Sequence, residues 1–327
     1  LKLVQADKID SVDDYRMIDA PIPSPAPDEV LVKVMLCGMG YVDALVALGG
    51  YQVKPAVPFT PGQEIAGIVE AVGAEVTDIK PGDRVMANSF GGGLAEYVVA
   101  KQVMVAVIPD AMTFAQAAGF RINYITALHA LRDRAAIQPG ERLLVFGAAG
   151  GVGSAAIQVG RQLGAEVIAV ASSEAKRAFA LDLRATAALD TEAEGWRDRL
   201  KAACGGKGPD VIFDPVTGPL FEAAFRSLAW RGRHLVIGFA GGPIPKLPIN
   251  LALMKGASLV GADVRQFLLY EHAQAARHLE QLLAWVGDGS LVPPVGKQFS
   301  FGDFAEAMRF ATSGAGMAKS IIQVGEH

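Results

Sequence analysis

The sequence predicts an α/β protein of two domains, one mostly antiparallel and barrel-like, the other a doubly wound parallel sheet. Three observations predict it. Residues 1–118 carry short apolar or alternating runs broken by Gly and Pro, residues 141–164 read as strand, glycine turn and helix, and strand and helix patterns alternate from about residue 123. The chain has 327 residues, which at roughly 150 per domain also suggests about two domains.

The elements follow in order. In the first part, β-type runs fall at 30–36, 64–72, 84–87, 94–99 and 103–108. Breaks at 21–27, Thr60-Pro61-Gly62, Lys80-Pro81-Gly82-Asp83 and Gly91-Gly92-Gly93 keep these strands short. A helix-like stretch at 124–136 leads through Gln138-Pro139-Gly140 to an apolar strand, Leu143-Leu144-Val145-Phe146, suited to burial on both faces. Beyond it, strand patterns at 166–171, 187–190, 211–214 and 233–238 alternate with helical ones at 174–183, 192–203 and 219–230. This βαβ rhythm, with right-handed crossovers, places a ligand crevice at the carboxyl ends of the strands. A run at 258–262 precedes an amphipathic segment at 272–286, predicted as a surface helix. The mixed tail at 299–324 is expected to rejoin the first domain, as the ends of an inserted domain require. The expected boundaries are 1–122, 123–264 and 265–327.

The turn after the strand at 143–146 reads Gly147-Ala148-Ala149-Gly150-Gly151-Val152-Gly153. Its Gly-x-x-Gly-x-x-Gly spacing is a variant of the dinucleotide fingerprint. A helix that begins inside such a turn points unpaired N–H groups and its positive dipole end at the occupant, most simply a pyrophosphate. Gly147, Ala149, Gly150, Gly151, Val152 and Gly153 are therefore the candidate cofactor contacts. The alternative is a close-packed turn with no ligand.

In the standard unit an acidic residue about 20 positions beyond the glycines binds the adenosine ribose hydroxyls. Here the strand at 166–171 is followed by Ser172-Ser173-Glu174-Ala175-Lys176-Arg177. Two hydroxyls and two cations stand where the carboxylate would be, which suits a 2′-phosphate and favours NADPH over NADH. The alternative has Ser172 as a helix cap, with Lys176 and Arg177 on a solvated face.

A net charge of -4 and a pI near 5.8 give no electrostatic reason to expect a nucleic-acid or membrane partner. Cys37 and Cys204 lie far apart, with no CxxC or His-rich neighbourhood, and read as reduced thiols of a cytoplasmic protein. No basic-then-apolar leader opens the chain, so no secretory signal is expected. Residues 143–160 lack charge, but their glycines, with Ser154 and Gln158, argue against a membrane span. The histidines, His129, His234, His272, His278 and His327, form no metal-binding spacing, and no Ser–His–Asp or HExxH pattern occurs.

Several further motifs occur in one order along the chain: Pro61-Gly62-Gln63-Glu64, Ala66-Gly67-Ile68-Val69, Val72-Gly73, Gly82-Asp83-Arg84-Val85, Ala95-Glu96-Tyr97 and the glycine turn. Together they resemble the medium-chain dehydrogenase/reductase superfamily over essentially the whole chain, most closely its zinc-free quinone oxidoreductase branch. The resemblance implies a GroES-like catalytic domain, built from the N-terminal part and the tail, with a Rossmann domain inserted. Gly40, Gln63 and Ile122 align with the catalytic zinc ligands of the superfamily's alcohol dehydrogenases and supply neither thiolate nor imidazole. The segment Asn88-Ser89-Phe90-Gly91-Gly92-Gly93 replaces their four-cysteine lobe. The expected chemistry is thus zinc-free hydride transfer from NADPH to a quinone or an α,β-unsaturated carbonyl. An enoyl-thioester reductase and a non-catalytic NADPH-binding protein are the alternatives.

Quinone oxidoreductases commonly carry Asn where this chain has Gly40, which removes a polar handle near the nicotinamide. The resemblance also implies roles for single residues. Tyr51 would line the substrate pocket, as donor to the acceptor oxygen or as a flat wall. Asp43 would orient the ribose or nearby backbone, while Tyr41, Gln63 and Asn123 would border the cavity. Thr126, at the start of the linking helix, would lie near the nicotinamide. Gly238 and Phe239 would pack on its ribose, and Thr191 stands where some relatives place Tyr or His against the 2′-phosphate. Lys319 would lie near the cofactor cleft or, as lysines usually do, in solvent. Expected partners are a small electrophile and further copies of the chain, as homodimer or homotetramer.

Overall fold

Fifteen strands fall into three sheets among the residues that the computed structural model describes, Leu1–Gly325. His327 lies outside them. The chain divides into two units: Leu1–Ile122 with the segment from Val286 onward, and Asn123–Trp285.

The first unit begins with an antiparallel pair, β1 (Lys2–Gln5) and β2 (Arg16–Asp19). Then come β3 (Glu29–Met39), α1 (Tyr41–Ala47), β4 (Glu64–Val72), β5 (Arg84–Asn88), β6 (Tyr97–Lys101) and β7 (Val105–Val107). The long β3 is the hub, antiparallel to both β4 and β6, and β4–β5–β7 continue antiparallel. A short helix, α2 (Phe114–Ala117), is capped by Thr113, whose hydroxyl accepts from the Gln116 amide while Gln116 reaches back to the Thr113 amide. The strand expected at 94–99 starts later, at Tyr97, and the run at 103–108 opens as a 3-10 turn at Gln102–Met104. Leu94 and Ala95 bond across to the first strand instead of extending β6.

The second unit begins inside α3 (Arg121–Leu128) and runs on through a π-helical turn, His129–Arg134. Its strands and helices alternate: β8 (Arg142–Val145), α4 (Gly151–Gln162), β9 (Glu166–Val170), α5 (Glu174–Asp182), β10 (Ala187–Leu189) and α6 (Trp196–Ala203). The series continues with β11 (Val211–Asp214), α7 (Phe221–Ser227), β12 (Arg233–Val236), α8 (Asn250–Lys255) and β13 (Ser258–Gly261). All six strands pair in parallel, in the order β10-β9-β8-β11-β12-β13. The order reverses between β8 and β11, so the ligand-binding switch point lies at their carboxyl ends. Every residue of β11 is buried, as a sheet covered on both faces requires. Trp196 is fully buried and satisfies its indole N–H on the Asp190 carbonyl at 3.1 Å. Burying such a side chain contributes about 1.5–3 kcal/mol.

Two helices, α9 (Val264–Tyr270) and α10 (His272–Gly287), complete this unit. The third segment, expected from residue 265, therefore starts near Val286. The reason is packing: the Phe267 ring stacks on His129 at 3.8 Å and lies 5.4 Å from His278. His278 is also buried, so α10 is not a surface helix on that side. The tail returns to the first unit as β14 (Gln298–Ser300), α11 (Phe304–Thr312) and β15 (Ser320–Gln323), with β15 antiparallel to β3. The mostly antiparallel sheet and the all-parallel sheet together are the predicted α/β class.

Candidate functional site

In the second unit, Gly147 takes a left-handed conformation (φ 56°) that lets the chain turn straight from β8 into α4. Gly150 is the N-cap and offers no side chain to the first amides of the helix. A Cβ at Gly153 would stand 2.2 Å from the Gly147 carbonyl oxygen, so only glycine allows this close return. The turn is thus a cradle of backbone with its helix amides open to an anion, and it fits a pyrophosphate. Ala149 is buried behind it, while Gly151 and Val152 are half-buried. The Asn123 amide packs on Gly151, its Nδ2 lying 2.8 Å from where a Cβ would stand.

The linking helix, expected from residue 124 with Thr126 at its start, already begins at Arg121 as α3, so Asn123, Tyr124 and Thr126 all lie within it. Thr126 is therefore interior and buried, not a helix-terminal hydroxyl. At the tip of β9 it is Ser173, not Ser172, that caps α5, accepting from the Lys176 amide at 3.3 Å. Ser172 is left exposed and Lys176 half-buried. The Arg177 guanidinium donates to the Ala171 carbonyl at 3.3 Å, which ties a cation to the strand end. Thr191 is exposed just beyond β10, and Gly238 and Phe239 follow β12, with Phe239 exposed.

In the first unit, Asp43, Gln63 and Lys319 meet. Asp43 accepts from the Gly40 amide at 2.8 Å through one oxygen and from the Gln63 amide at 3.2 Å through the other. Both of its oxygens therefore hold backbone amides of this unit. Lys319 is no surface lysine: it is 9% exposed, 3.1 Å from Asp43 Oδ2, and donates to Glu64 Oε2. The second Glu64 oxygen accepts from the Ile122 amide at 2.8 Å. Burial alone would lower the Lys319 pKa, but the two carboxylates outweigh it and raise it, so the side chain is an ammonium. Tyr41 opens α1 and is partly exposed, and Tyr51 packs half-buried against the core of this unit.

Zinc does not fit these donors. A side chain at Gly40 would begin 3.3 Å from Lys319 Cε and 3.3 Å from Asp43 Oδ2, so a cationic chain already fills the space beside that ligand position. Among the described residues no group of three or more His, Cys, Asp or Glu side chains is placed to hold a metal.

Glu64, Asp214, Thr217 and His234 had no assigned role from sequence. Glu64 stands inside the quoted Pro-Gly-Gln-Glu motif, which was the available signal. The other three form a buried network beside the switch point.

Comparison with known proteins gives the same architecture. The alcohol dehydrogenase GroES-like domain family matches residues 26–110, and the zinc-binding dehydrogenase family matches residues 151–283. Quinone oxidoreductase-like protein 2 of Bos taurus is 34% identical over 94% of this chain and 89% of its own length. Quinone oxidoreductase of Sus scrofa is 35% identical over 88% and 87% respectively. The chain belongs to the medium-chain dehydrogenase/reductase superfamily, in its quinone oxidoreductase-like branch. Escherichia coli quinone oxidoreductase, solved as a complex with NADPH, superposes with a TM-score of 0.89 at 25% identity, over 99% of this chain and 100% of that one. The protein is an enzyme of this superfamily's oxidoreductase type.

Proposed function

We propose that this medium-chain oxidoreductase uses NADPH, without zinc, to reduce a quinone or an α,β-unsaturated carbonyl. The observation that carries the reading is the backbone cradle from Gly147 to Gly153 with no carboxylate at the neighbouring β9 tip. The helix amides after Gly150 hold the diphosphate, and Ser172, Ser173, Lys176 and Arg177 receive the 2′-phosphate, with Thr191 near them. The NADPH-bound Escherichia coli neighbour supports the same choice. Gly238, Phe239 and Thr126 are assigned to the nicotinamide half, and Asn123 to the border of the substrate cavity.

When bound, NADPH supplies the hydride. The chain's own part is to orient it, exclude water and place donors. Without a metal, a developing negative oxygen is stabilised by hydrogen-bond donors alone, which favours acceptors that delocalise charge. We assign Tyr51 as that donor, with Tyr41 and Gln63 as the polar and aromatic lining for substrate. Asp43 keeps the backbone at Gly40 and Gln63 in place, and Lys319 balances its charge. The two buried thiols suit a reducing cytoplasm. No described helix is long and apolar enough to cross a membrane.

The partner chain is a second copy. Strand β13 ends the parallel sheet, its Leu259 is exposed, and α8 just before it presents Leu253 and Met254 to solvent. Two such edges related by a two-fold axis pair antiparallel and cover each other.

Stopped-flow oxidation of NADPH with 1,4-benzoquinone, a 2-alkenal and crotonyl-CoA tests the activity. Turnover with the first two supports the proposal. Turnover with crotonyl-CoA alone points to an enoyl-thioester reductase, and tight binding with no oxidation points to a binding protein.

A further inference from the structure

His234 lies on β12, opposite Ile212 of β11, with no exposed surface. Its Nε2 is 3.0 Å from Asp214 Oδ2, and Asp214 is 1% exposed at the carboxyl end of β11. Phe221 and Phe225 enclose the imidazole at centroid distances of 4.7 and 6.1 Å. Nδ1 is buried with no hydrogen-bond partner among the described residues, so the ring keeps its proton on Nε2, facing the carboxylate.

The other Asp214 oxygen accepts from the backbone amides of Val216 and Thr217 at 3.0 and 2.7 Å. This holds Thr217 in a left-handed conformation (φ 45°) that a β-branched residue otherwise avoids. In that pose the Thr217 hydroxyl donates to the Gly238 carbonyl at 2.8 Å. The Ala240 and Gly241 amides donate back to the Pro215 and Val216 carbonyls at 3.3 and 2.7 Å. Val216 Cγ2 also lies 3.1 Å from where a Cβ on Gly147 would stand. One imidazole therefore anchors the carboxylate that shapes the loop after β11. That loop in turn holds the loop after β12 and touches the glycine turn after β8.

We propose that His234, through Asp214, is a positioning residue for the nicotinamide half of the cofactor. The inference rests on the NADPH reading above and adds a residue to it. Topology supplies the placement: the diphosphate sits at the β8–α4 turn and the adenosine at the β9 tip on one side. The remaining half must cross the switch point onto the ends of β11 and β12. Those ends are the two loops that the His234–Asp214 pair fastens. An apolar residue at 234 would leave a buried carboxylate oxygen without a donor, and the loop would shift to find one.

The test uses the whole protein and two ligands. NADPH binding is followed by nicotinamide fluorescence, and binding of 2′,5′-ADP, which lacks the nicotinamide half, by calorimetry. His234→Phe keeps an aromatic ring between Phe221 and Phe225 but removes the donor. It should weaken NADPH about tenfold while leaving 2′,5′-ADP affinity unchanged. His234→Gln, whose amide can reach Asp214, should restore most of the loss. Thr217→Ala carries the same readout should His234→Phe not fold, and the same NADPH-selective loss is expected. Equal weakening of both ligands, unchanged NADPH affinity, or no rescue by glutamine overturns the positioning role. Wild-type protein without affinity for NADPH would instead overturn the cofactor reading itself, and this inference with it.

Discussion

Lys319 joins Asp43 and Glu64 in the antiparallel unit, and all three are almost fully buried. Removing one member of such a group leaves charge without a partner in a poorly solvating interior. Lys319→Met should therefore cost about 3–5 kcal/mol, read from urea unfolding midpoints. Lys319→Met combined with Glu64→Gln should recover part of that loss, because one uncompensated carboxylate is then neutral. At the β9 tip the expected effect is on ligand choice. Lys176→Ala should raise the KM for NADPH about tenfold with little change for NADH, since a charge-assisted hydrogen bond to the 2′-phosphate is lost. Equal effects on both coenzymes in steady-state assays would remove that assignment.

Helix α10 brings a further ionisable group inside. His278 Nε2 lies 3.0 Å from the Gln274 amide nitrogen and 3.4 Å from Asp133 Oδ2. Burial pushes the His278 pKa below its ordinary 6.5, against the pull of Asp133 and with help from Arg132 and His129. A histidine with a lowered folded-state pKa is protonated first in the unfolded chain. Its contribution to stability is therefore present above 6.5 and lost as pH falls below it. Denaturant titrations at about pH 7.5 and about pH 5 should show the protein weaker in acid, and His278→Gln should flatten the difference. An undiminished slope in that variant would remove His278 as the cause. The same helix shows where pattern reading stops. Its amphipathic period was plain, yet the face carrying His278 packs on Phe267 of the preceding helix and on the π-helical turn, which lies far earlier in the chain.

At the scale of the whole molecule, one prediction tests the proposed zinc-free chemistry and another the proposed pairing of two copies. Prolonged EDTA treatment should leave turnover unchanged, since no donor set for zinc is present at Gly40, Gln63 and Ile122. A loss restored by added zinc would contradict the metal-free reading. Leu259→Lys should convert the proposed dimer to a monomer in sedimentation experiments, because it places a charge on the β13 edge. A dimer that persists would move the interface elsewhere.

The sequence by itself determined the α/β class, the interrupted first unit and the glycine cradle. These are written in local periodicity and in close approaches between residues only a few positions apart, such as Gly147 and Gly153. The helix boundary at Arg121 and the cap at Ser173 were misjudged by one to a few residues because several adjacent residues satisfy the same local preference. Tertiary structure alone decided the rest. Glu64 and Lys319 meet across 255 residues, and His234 reaches Asp214 only once β11 and β12 lie side by side. A buried charge or imidazole takes its meaning from the partner that pays its desolvation, and that partner is chosen by sheet order rather than by neighbours in the chain.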